Sequence, residues 1–508
     1  KAIRRQRQMC IRDRSGGTTG NEENENQTGD TTGSEENENQ TGGTTGGEKN
    51  ETDSTKKTQT GDSPVLGSQL TYTGAPINVA NANDDDETRD ESTTVLERAA
   101  ENFRNTAENV TNYVIRIINK ATGNDNTLNV TLKDVNIDAS SSKTNDAALS
   151  VEGAGNTKIT LSGSNTLTGG DGHAGLEHNG KSDGGKDTGR LTITSEKDSG
   201  ILTATGGSGV AGIGSAANSG GGAGDIEITG GDITATGASD GAGIGSGLGA
   251  TGDTNITIKG SAKINAQTDQ SGAGIGSGSK STGNTTINIE GGTIEKAQGG
   301  SGGAGIGGGQ ESTGQTTVTI KDGTIKEAVG GNIGDGIGGG KESTNITVNI
   351  EGGHIETAQG GPGFGDYDAG DGIHSDGSLT ISSKATIGSA IGGDGAPNSD
   401  RNAGHGIYSK NGLTIEGNIG TAKGGDATAS GKNGGDGIHT DGNYSGDNLR
   451  EGNLTIGGKI GTAQGGEGKS GNGGHGIYSG GLSPIISGGE IQPVSYTHLR
   501  AHETRGNL

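Results

Sequence analysis

The stretch from Gly272 to Ser301 reads GAGIGSGSKSTGNTTINIEGGTIEKAQGGS, and a close copy, GAGIGGGQESTGQTTVTIKDGTIKEAVGGN, runs from Gly303 to Asn332. Each copy begins with a Gly-x-Gly-Ile anchor, continues with alternating apolar and polar residues, and closes with a second short apolar run. A sequence that repeats at a fixed period indicates an array of stacked structural units. This stretch therefore predicts a solenoid rather than a set of globular domains.

The Gly-x-Gly-Ile anchor recurs along most of the chain. Its first four steps are 31 residues long, and the later steps are 36, 34, 31 and 39 residues. Weaker copies begin earlier, where Leu149 and Leu176 take the anchor position. The repeat therefore extends over most of the chain, and its anchor isoleucines are Ile213, Ile244, Ile275, Ile306, Ile337, Ile373, Ile407, Ile438 and Ile477.

Each repeat contains three short runs with strand-like alternation and no helical pattern. The sequence therefore predicts an all-β fold, a right-handed parallel β-helix over residues 113–492, with one coil of three short strands per repeat. Stacked coils hydrogen-bond to one another, so each strand needs only one or two inward apolar residues. Glycine is expected at the corners of each coil, where φ is positive or there is no space for a side chain.

Charged residues at two outward positions of the repeat alternate in sign from one repeat to the next. One position closes the second strand, and the other follows the isoleucine of the third strand. If the coils stack in register, unlike charges lie above one another, and each pair contributes about 0.2–1 kcal/mol and opposes register slips. Chance alternation over so few positions is the alternative. The residues are Lys259, Glu290, Lys321 and Glu351 after the second strand, and Glu295, Lys326 and Glu356 in the third.

Composition agrees with a thin-cored solenoid. The 508 residues include 110 glycines, and only 25% are hydrophobic and 2% aromatic, which is too little apolar material for several ordinary cores. The formal net charge of −24 argues against binding to nucleic acid and to anionic membranes, and no apolar run is long enough to span a bilayer. The single cysteine, Cys10, excludes a disulfide framework and a cysteine-based zinc site.

The segments before the repeats have different compositions. Residues 15–90 contain the tandem acidic tract TTGNEENENQTGD and TTGSEENENQTGG, which predicts a disordered linker because it has no apolar residues to bury. Residues 91–112 predict a short amphipathic helix that caps the first coil, with an independent surface helix as the alternative. Its apolar face comprises Val95, Ala99, Phe103, Ala107 and Val110.

The two ends break the surrounding composition. RQMCIRDR within residues 1–14 and PVSYTHLRAHET within residues 493–508 resemble translated sequencing-adapter sequence at the ends of metagenomic gene models, with genuine basic tails as the alternative. The first residue is not Met. We therefore expect a fragment whose signal and anchor segments lie outside it.

The coils after Gly361 carry most of the aromatic residues of the repeat region, and their anchors alternate between GDGIH and GHGIY. If each anchor Ile points inward, the next residue points outward, and two outer columns result. A strip that binds sugars through flat rings and polar side chains is one interpretation, and a stabilising ladder of Asp–His and His–Tyr contacts is the other. The first column is His374, Tyr408, His439 and Tyr478, and the second is Asp371, His405, Asp436 and His475.

Two further sites are candidates. Carboxylates at nearly alternating positions suit calcium, although aspartates are also common in solvated turns. The candidate calcium ligands are Asp366, Asp368, Asp371 and Asp376.

The pair Asp371 and His405 is the one candidate for the active site of a polysaccharide lyase or glycoside hydrolase, since the repeats offer no arginine beside an acidic cluster.

The runs LTITSEKDSGILTATGGSGVAGIGS and DGIHSDGSLTISSKATI resemble the Gly-rich parallel β-helix, pectate-lyase-like surface proteins of Gram-positive anaerobes, many of them described as containing carbohydrate-binding domains. The resemblance covers about residues 113–492. It implies a secreted or wall-attached bacterial protein that binds polysaccharide, with calcium as an accompanying ion.

The combined expectation is a monomeric, extracellular or cell-surface adhesin-like rod that binds a polysaccharide or wall glycan through its later coils. Two alternatives stay open. The first is a structural spacer without a ligand of its own, and the second is an enzyme that cleaves polysaccharides.

Overall fold

A computed structural model describes the chain between residues 114 and 491, which contains the repeats. The predicted artefact ends, the linker over residues 15–90 and the capping helix over residues 91–112 lie outside the described residues. Within 114–491 the description omits residues 120–126, 141–144, 182–184, 196–199, 398–400, 431, 442, 446–447, 451–453, 470, 481–484 and 488–489.

The anchors form a parallel sheet of twelve short strands, here called the anchor sheet. Each of its strands comes from a successive repeat, and every strand except the first and the last pairs with the strands of the repeats before and after it. Its members are Ile115–Ile118, Leu149–Glu152, Leu176–His178, Ile213–Gly214, Ile244–Gly245, Ile275–Gly276, Ile306–Gly307, Ile337–Gly338, Ile373–Ser375, Ile407–Ser409, Ile438–Thr440 and Ile477–Ser479.

The second and third strands of the repeats belong to one further sheet of 22 strands, also built of parallel pairs between repeats. The second strands are Leu128–Lys133, Thr157–Ser162, Leu191–Ser195, Gly224–Ile228, Thr254–Ile258, Ile346–Ile350, Leu379–Ile381, Leu413–Ile415, Leu454–Ile456 and Ile485–Ile486. The third strands are Asn136–Asp138, Ser164–Thr168, Ile201–Ser208, Asp232–Ala238, Lys263–Thr268, His354–Gln359, Thr386–Ile391, Asn418–Lys423, Lys459–Gln464 and Glu490–Ile491.

In two central repeats the second and third strands run together as single 14-residue strands, Thr285–Gln298 and Thr316–Val329. The sequence predicts separate strands there because glycine separates the two apolar runs. In the structure Gly292 bends the chain with a φ of 76° while strand pairing continues on both sides of it. The remaining two strands form an antiparallel hairpin, Asn443–Ser445 with Asn448–Arg450, in the longest repeat.

The predicted stacking of the anchors is confirmed. Ile244 pairs with Ile275, and Ile275 pairs with Ile306, each as direct partners in the parallel ladder. All three side chains are fully buried. The same register continues through Ile477 at one end and through Leu149 at the other, so the fold is a parallel β-solenoid with one repeat per turn.

The core is a single continuous column of branched aliphatic side chains and alanines between the two sheets. In Thr254–Ile258 buried residues alternate with half-buried ones, as a strand with one inward face requires. No part of the described chain is helical. The search for helices long and apolar enough to cross a membrane accordingly finds none among the described residues.

The charge alternation corresponds to contacts between coils. The Lys321 ammonium lies 2.8 Å from the Glu290 carboxylate, and the Lys326 ammonium lies 2.6 Å from that of Glu295. Each pair joins residues 31 positions apart, as in-register stacking predicts. These pairs are exposed, so each adds little to stability, and their main effect is to penalise other registers.

Tight packing between coils requires glycine at the end of the anchor. Gly276 has a φ of 141°, and a Cβ atom there would lie 1.9 Å from the carbonyl oxygen of Gly307 in the next coil. Both the backbone conformation and the space therefore exclude a side chain.

We predict that Gly276→Ala lowers the free energy of unfolding by more than about 2 kcal/mol, because the coil must shift away from its neighbour. Gly220→Ala is the control, since a Cβ atom there meets nothing within 4 Å. Thermal and denaturant unfolding measure both variants. Equal stability of the two variants would contradict the close approach of the anchors.

Candidate functional site

The first predicted column forms on the outer face of the anchor sheet. His374 pairs with Tyr408, Tyr408 with His439, and His439 with Tyr478, as direct partners in the ladder. Each of these residues follows an anchor Ile, and because strand residues alternate in direction, its side chain lies on the opposite face from the core. All four are half-buried. We call them the ring column.

The rings of the column contact one another along the stack. The ring centroids are 4.9 Å apart between His374 and Tyr408, 5.4 Å between Tyr408 and His439, and 4.6 Å between His439 and Tyr478. The last pair is stacked, and the other two meet edge to face. The column is therefore a continuous aromatic surface whose rings also hold one another in place.

The second predicted column also forms, and it binds each coil to the next through backbone amides. The His405 amide donates to the Asp371 carboxylate at 2.6 Å, and the Asp436 amide donates to the His405 ring nitrogen Nδ1 at 2.9 Å. The His475 amide in turn donates to the Asp436 carboxylate at 2.5 Å. The two aspartates are buried, so these bonds satisfy carboxylates that are largely shielded from solvent.

Sequence reasoning missed one member of this second column, Asp335. Its Oδ1 accepts the amide of Asp371 at 2.8 Å, and its Oδ2 accepts the amide of Gly339 at 2.7 Å. The signal was present, because GDGIGGG has an aspartate at the second position of its anchor, as GDGIH of the later coils does. The Asp-containing anchors therefore start one coil earlier than the sequence prediction placed them.

His374 lies between two buried carboxylates. Its Nδ1 is 3.2 Å from Asp335 Oδ2 and 3.2 Å from Asp371 Oδ2. Its Nε2 is 3.7 Å from Asp376 Oδ1 and has no hydrogen-bond partner. Burial by itself would lower the pKa of His374, but the adjacent carboxylates outweigh burial and raise this pKa well above its usual value.

A second cluster of the same residue types is centred on His439. Its Nδ1 lies 2.6 Å from Asp436 Oδ2, and its Nε2 lies 3.0 Å from Asp441 Oδ1. The Tyr408 hydroxyl donates to the other oxygen of Asp441 at 2.6 Å. Burial lowers the pKa of His439, but the two carboxylates outweigh it, and the net direction is upward. Both ring nitrogens of this histidine are therefore satisfied within the protein.

A cleft of about 360 Å³ opens beside the first of these clusters. Asp335, Asp371 and His374 line it, and Tyr408 of the ring column forms part of the same wall. The other lining residues come from three successive coils and include both charges and small side chains, among them Lys341, Glu342, Ser343, Asp368, Asn402 and His405. The cleft therefore brings both columns to a single concave surface.

Two of the four predicted calcium ligands, Asp371 and Asp376, flank the His374 ring, and each of these two and Asp368 also accepts a backbone amide. Asp366 is exposed, Asp368 accepts the amide of Asn402 at 2.7 Å, and Asp376 accepts the amide of Ile346 at 3.0 Å. Asp371 belongs to the second column. Calcium binding by this set stays a prediction.

The two residues of the candidate enzymatic pair, Asp371 and His405, are joined by a backbone hydrogen bond. Asp371 accepts the main-chain amide of His405 rather than a ring proton, and the His405 ring nitrogen Nδ1 accepts the amide of the following coil. Burial lowers the pKa of His405, which favours its neutral form. Catalysis by this pair remains an untested prediction.

The fold and these contacts define the chain as a parallel β-solenoid repeat protein with an Asp–His–Tyr surface on its later coils. No protein family, curated protein or solved structure matches it. Its function is therefore argued from its own residues.

The His439 cluster makes a testable prediction about pH. We expect Asp436→Asn to lower the pKa of His439, since the variant removes its closest carboxylate. In the parent protein, the raised pKa means that His439 binds its proton more tightly in the folded state than in the unfolded state. This stabilises the fold at pH values below the unfolded-state pKa of about 6.5, and the stabilisation is lost as the pH rises through the folded-state pKa. NMR titration of the histidine ring protons measures the shift.

The control for this prediction is Asp394→Asn. Asp394 is exposed and accepts the amide of Asp426 in the next coil at 2.9 Å, which matches the backbone contact of Asp436 without a histidine ring. It should leave the His439 titration unchanged. A His439 pKa that is the same in both variants would show that Asp436 does not determine the charge of this histidine.

Proposed function

We propose that this chain is an adhesin-like, polysaccharide-binding protein of a bacterial cell surface, and that the glycan binds along the ring column and in the adjacent cleft. The observation that carries the proposal is the continuous column of His374, Tyr408, His439 and Tyr478 rings beside a concave surface. Aromatic rings pack against the apolar faces of sugar rings, while nearby polar groups bond their hydroxyls.

Rigidity supports this proposal. The strands that carry His374, Tyr408 and His439 are paired on both sides, so few degrees of freedom remain there to be lost when a ligand binds. Coil-to-coil spacing in a parallel sheet is about 4.8 Å, which places successive rings along one line for a chain-like ligand. A polymer of sugars fits such a linear surface better than a compact small molecule does.

Charge narrows the class of glycan. The cleft contains Asp335, Asp368, Asp371 and Glu342, against the cationic Lys341 and the histidines. Like charges repel anionic polymers, so the proposal favours neutral or amino-containing glycans over uronic acid polymers and nucleic acids.

Three finer statements belong to the same proposal. Right-handed winding is supported by the strong preference of parallel strand crossovers for that hand. The extracellular location and the relation to pectate-lyase-like surface proteins with carbohydrate-binding domains rest on the sequence resemblance in the anchor and strand motifs.

The structural spacer is the second candidate, and a specific observation favours it. The rings of the column contact one another, and His439 and Tyr408 are already bonded to Asp441. A ladder whose polar groups are already hydrogen-bonded within the protein stabilises the stack even without a ligand.

We predict that the full chain binds neutral glycans on an array, and that Tyr408→Ala and Tyr478→Ala each weaken binding by about two- to tenfold, through loss of aromatic contact worth about 0.5–1.5 kcal/mol. Phe364→Ala is the matched control, because Phe364 is a 64% exposed aromatic residue outside the ring column. It should leave affinity unchanged.

The other outcomes decide between the alternatives. Absence of binding to any glycan, with both tyrosine variants folded, would contradict the proposal and favour the spacer. Release of unsaturated or reducing products from pectin-like polymers would instead favour the enzyme.

A further inference from the structure

Three potential metal ligands converge where the cleft meets the two columns. Nδ1 of His374 lies 3.2 Å from one oxygen of Asp335 and 3.2 Å from one oxygen of Asp371. The three ligand atoms lie within 4.8 Å of one another. Two ligands of a single zinc ion at bond lengths of about 2.0–2.1 Å are themselves about 2.9–3.4 Å apart, so the histidine–carboxylate separations suit one shared ion.

The second ring nitrogen of His374 faces a carboxylate of its own. Nε2 is buried and has no hydrogen-bond partner, although Asp376 Oδ1 lies only 3.7 Å away. If Nδ1 binds a metal, the one remaining ring proton is on Nε2 and faces this carboxylate. Histidine ligands of metals commonly donate their second ring N–H to a carboxylate in this way, which fixes the ring orientation.

The two carboxylates are held in place by bonds that leave room for a metal. Asp335 accepts the amides of Asp371 and Gly339, and Asp371 accepts the amide of His405. Each carboxylate oxygen has two lone pairs, so the oxygens that face His374 can bind a cation while keeping these bonds. Their side chains are only 7% and 11% exposed, so the two carboxylates need a positive partner, which is either a protonated His374 or a bound cation.

We infer that Asp335, Asp371 and His374 bind one divalent transition-metal ion of the zinc type in the wall of the cleft. One imidazole and two carboxylates suit zinc, cobalt or manganese, whereas calcium prefers six to eight oxygen ligands. Three protein ligands leave a coordination position for an external oxygen ligand from the cleft. The zinc site shares His374 with the ring column and lies in the wall of the same cleft, but the two proposals rest on different observations, and either can hold without the other.

The His439 cluster provides an internal comparison. Ligand atoms of His405, Asp436 and His439 also lie within 4.8 Å of one another. There, however, both nitrogens of His439 already contact carboxylates, and Nδ1 of His405 accepts the Asp436 amide. Binding a metal would break these bonds, so the ion should prefer the His374 site.

The test is titration of the chelator-treated full chain with Zn²⁺, followed by calorimetry. We expect one equivalent to bind, and Asp335→Asn and His374→Asn to weaken affinity by about 100-fold or more, with Asp376→Asn weakening it about tenfold. His439→Asn is the matched control from the neighbouring cluster and should keep the parent affinity within about twofold.

Zinc-edge X-ray absorption of the parent protein gives a readout that does not depend on whether the variants fold. One imidazole with oxygen ligands is the expected first shell, and two imidazoles would overturn the assignment in favour of the His439 cluster. Failure of the parent chain to bind Zn²⁺ would also overturn it, as would binding that is lost in His439→Asn but retained in His374→Asn.

Discussion

In-register pairing of each coil with the next is the constraint on which the rest of the structure depends. Because parallel neighbours exchange backbone hydrogen bonds at every repeat, identical positions lie above one another for the length of the sheet. The core then needs only a column of isoleucines with small residues around it, which explains how a chain with 25% hydrophobic residues forms one continuous core. The glycines follow from the same constraint, since the anchors approach too closely for a Cβ atom at Gly276.

Because the coils stack in register, a few residue changes within the anchors also create a new outer surface. The anchors at Ile244, Ile275 and Ile306 read GAGIG and have glycine at the outward position, whereas the later ones at Ile373, Ile407, Ile438 and Ile477 read GDGIH or GHGIY. Once register is fixed, these substitutions assemble a ring column and an Asp–His column from residues more than 30 positions apart. The candidate sites are thus properties of the stack, and a single isolated coil would not contain them.

The sequence predicts the stack and the two columns well, because both follow from repeat period and strand alternation. Asp335 is different: its repeat has glycine rather than His or Tyr after the anchor Ile, as the preceding coils do, so its aspartate was missed although it occupies the same anchor position as Asp371. The contact of Tyr408 with Asp441 depends on how the chain turns after the strand, which alternation does not specify. The merging of second and third strands at Gly292 depends on backbone dihedral angles that sequence spacing leaves open.

Disulfide formation between neighbouring coils tests the stacking most directly. In a Cys10→Ser background, Asn288→Cys with Thr319→Cys places two thiols on direct ladder partners, with Cα atoms about 4.8 Å apart and within disulfide range. Asn288→Cys with Thr317→Cys places them on the same outer face but two residues out of register. The account predicts rapid oxidation of the first pair and slow oxidation of the second. Equal rates, or faster oxidation of the second pair, would contradict it.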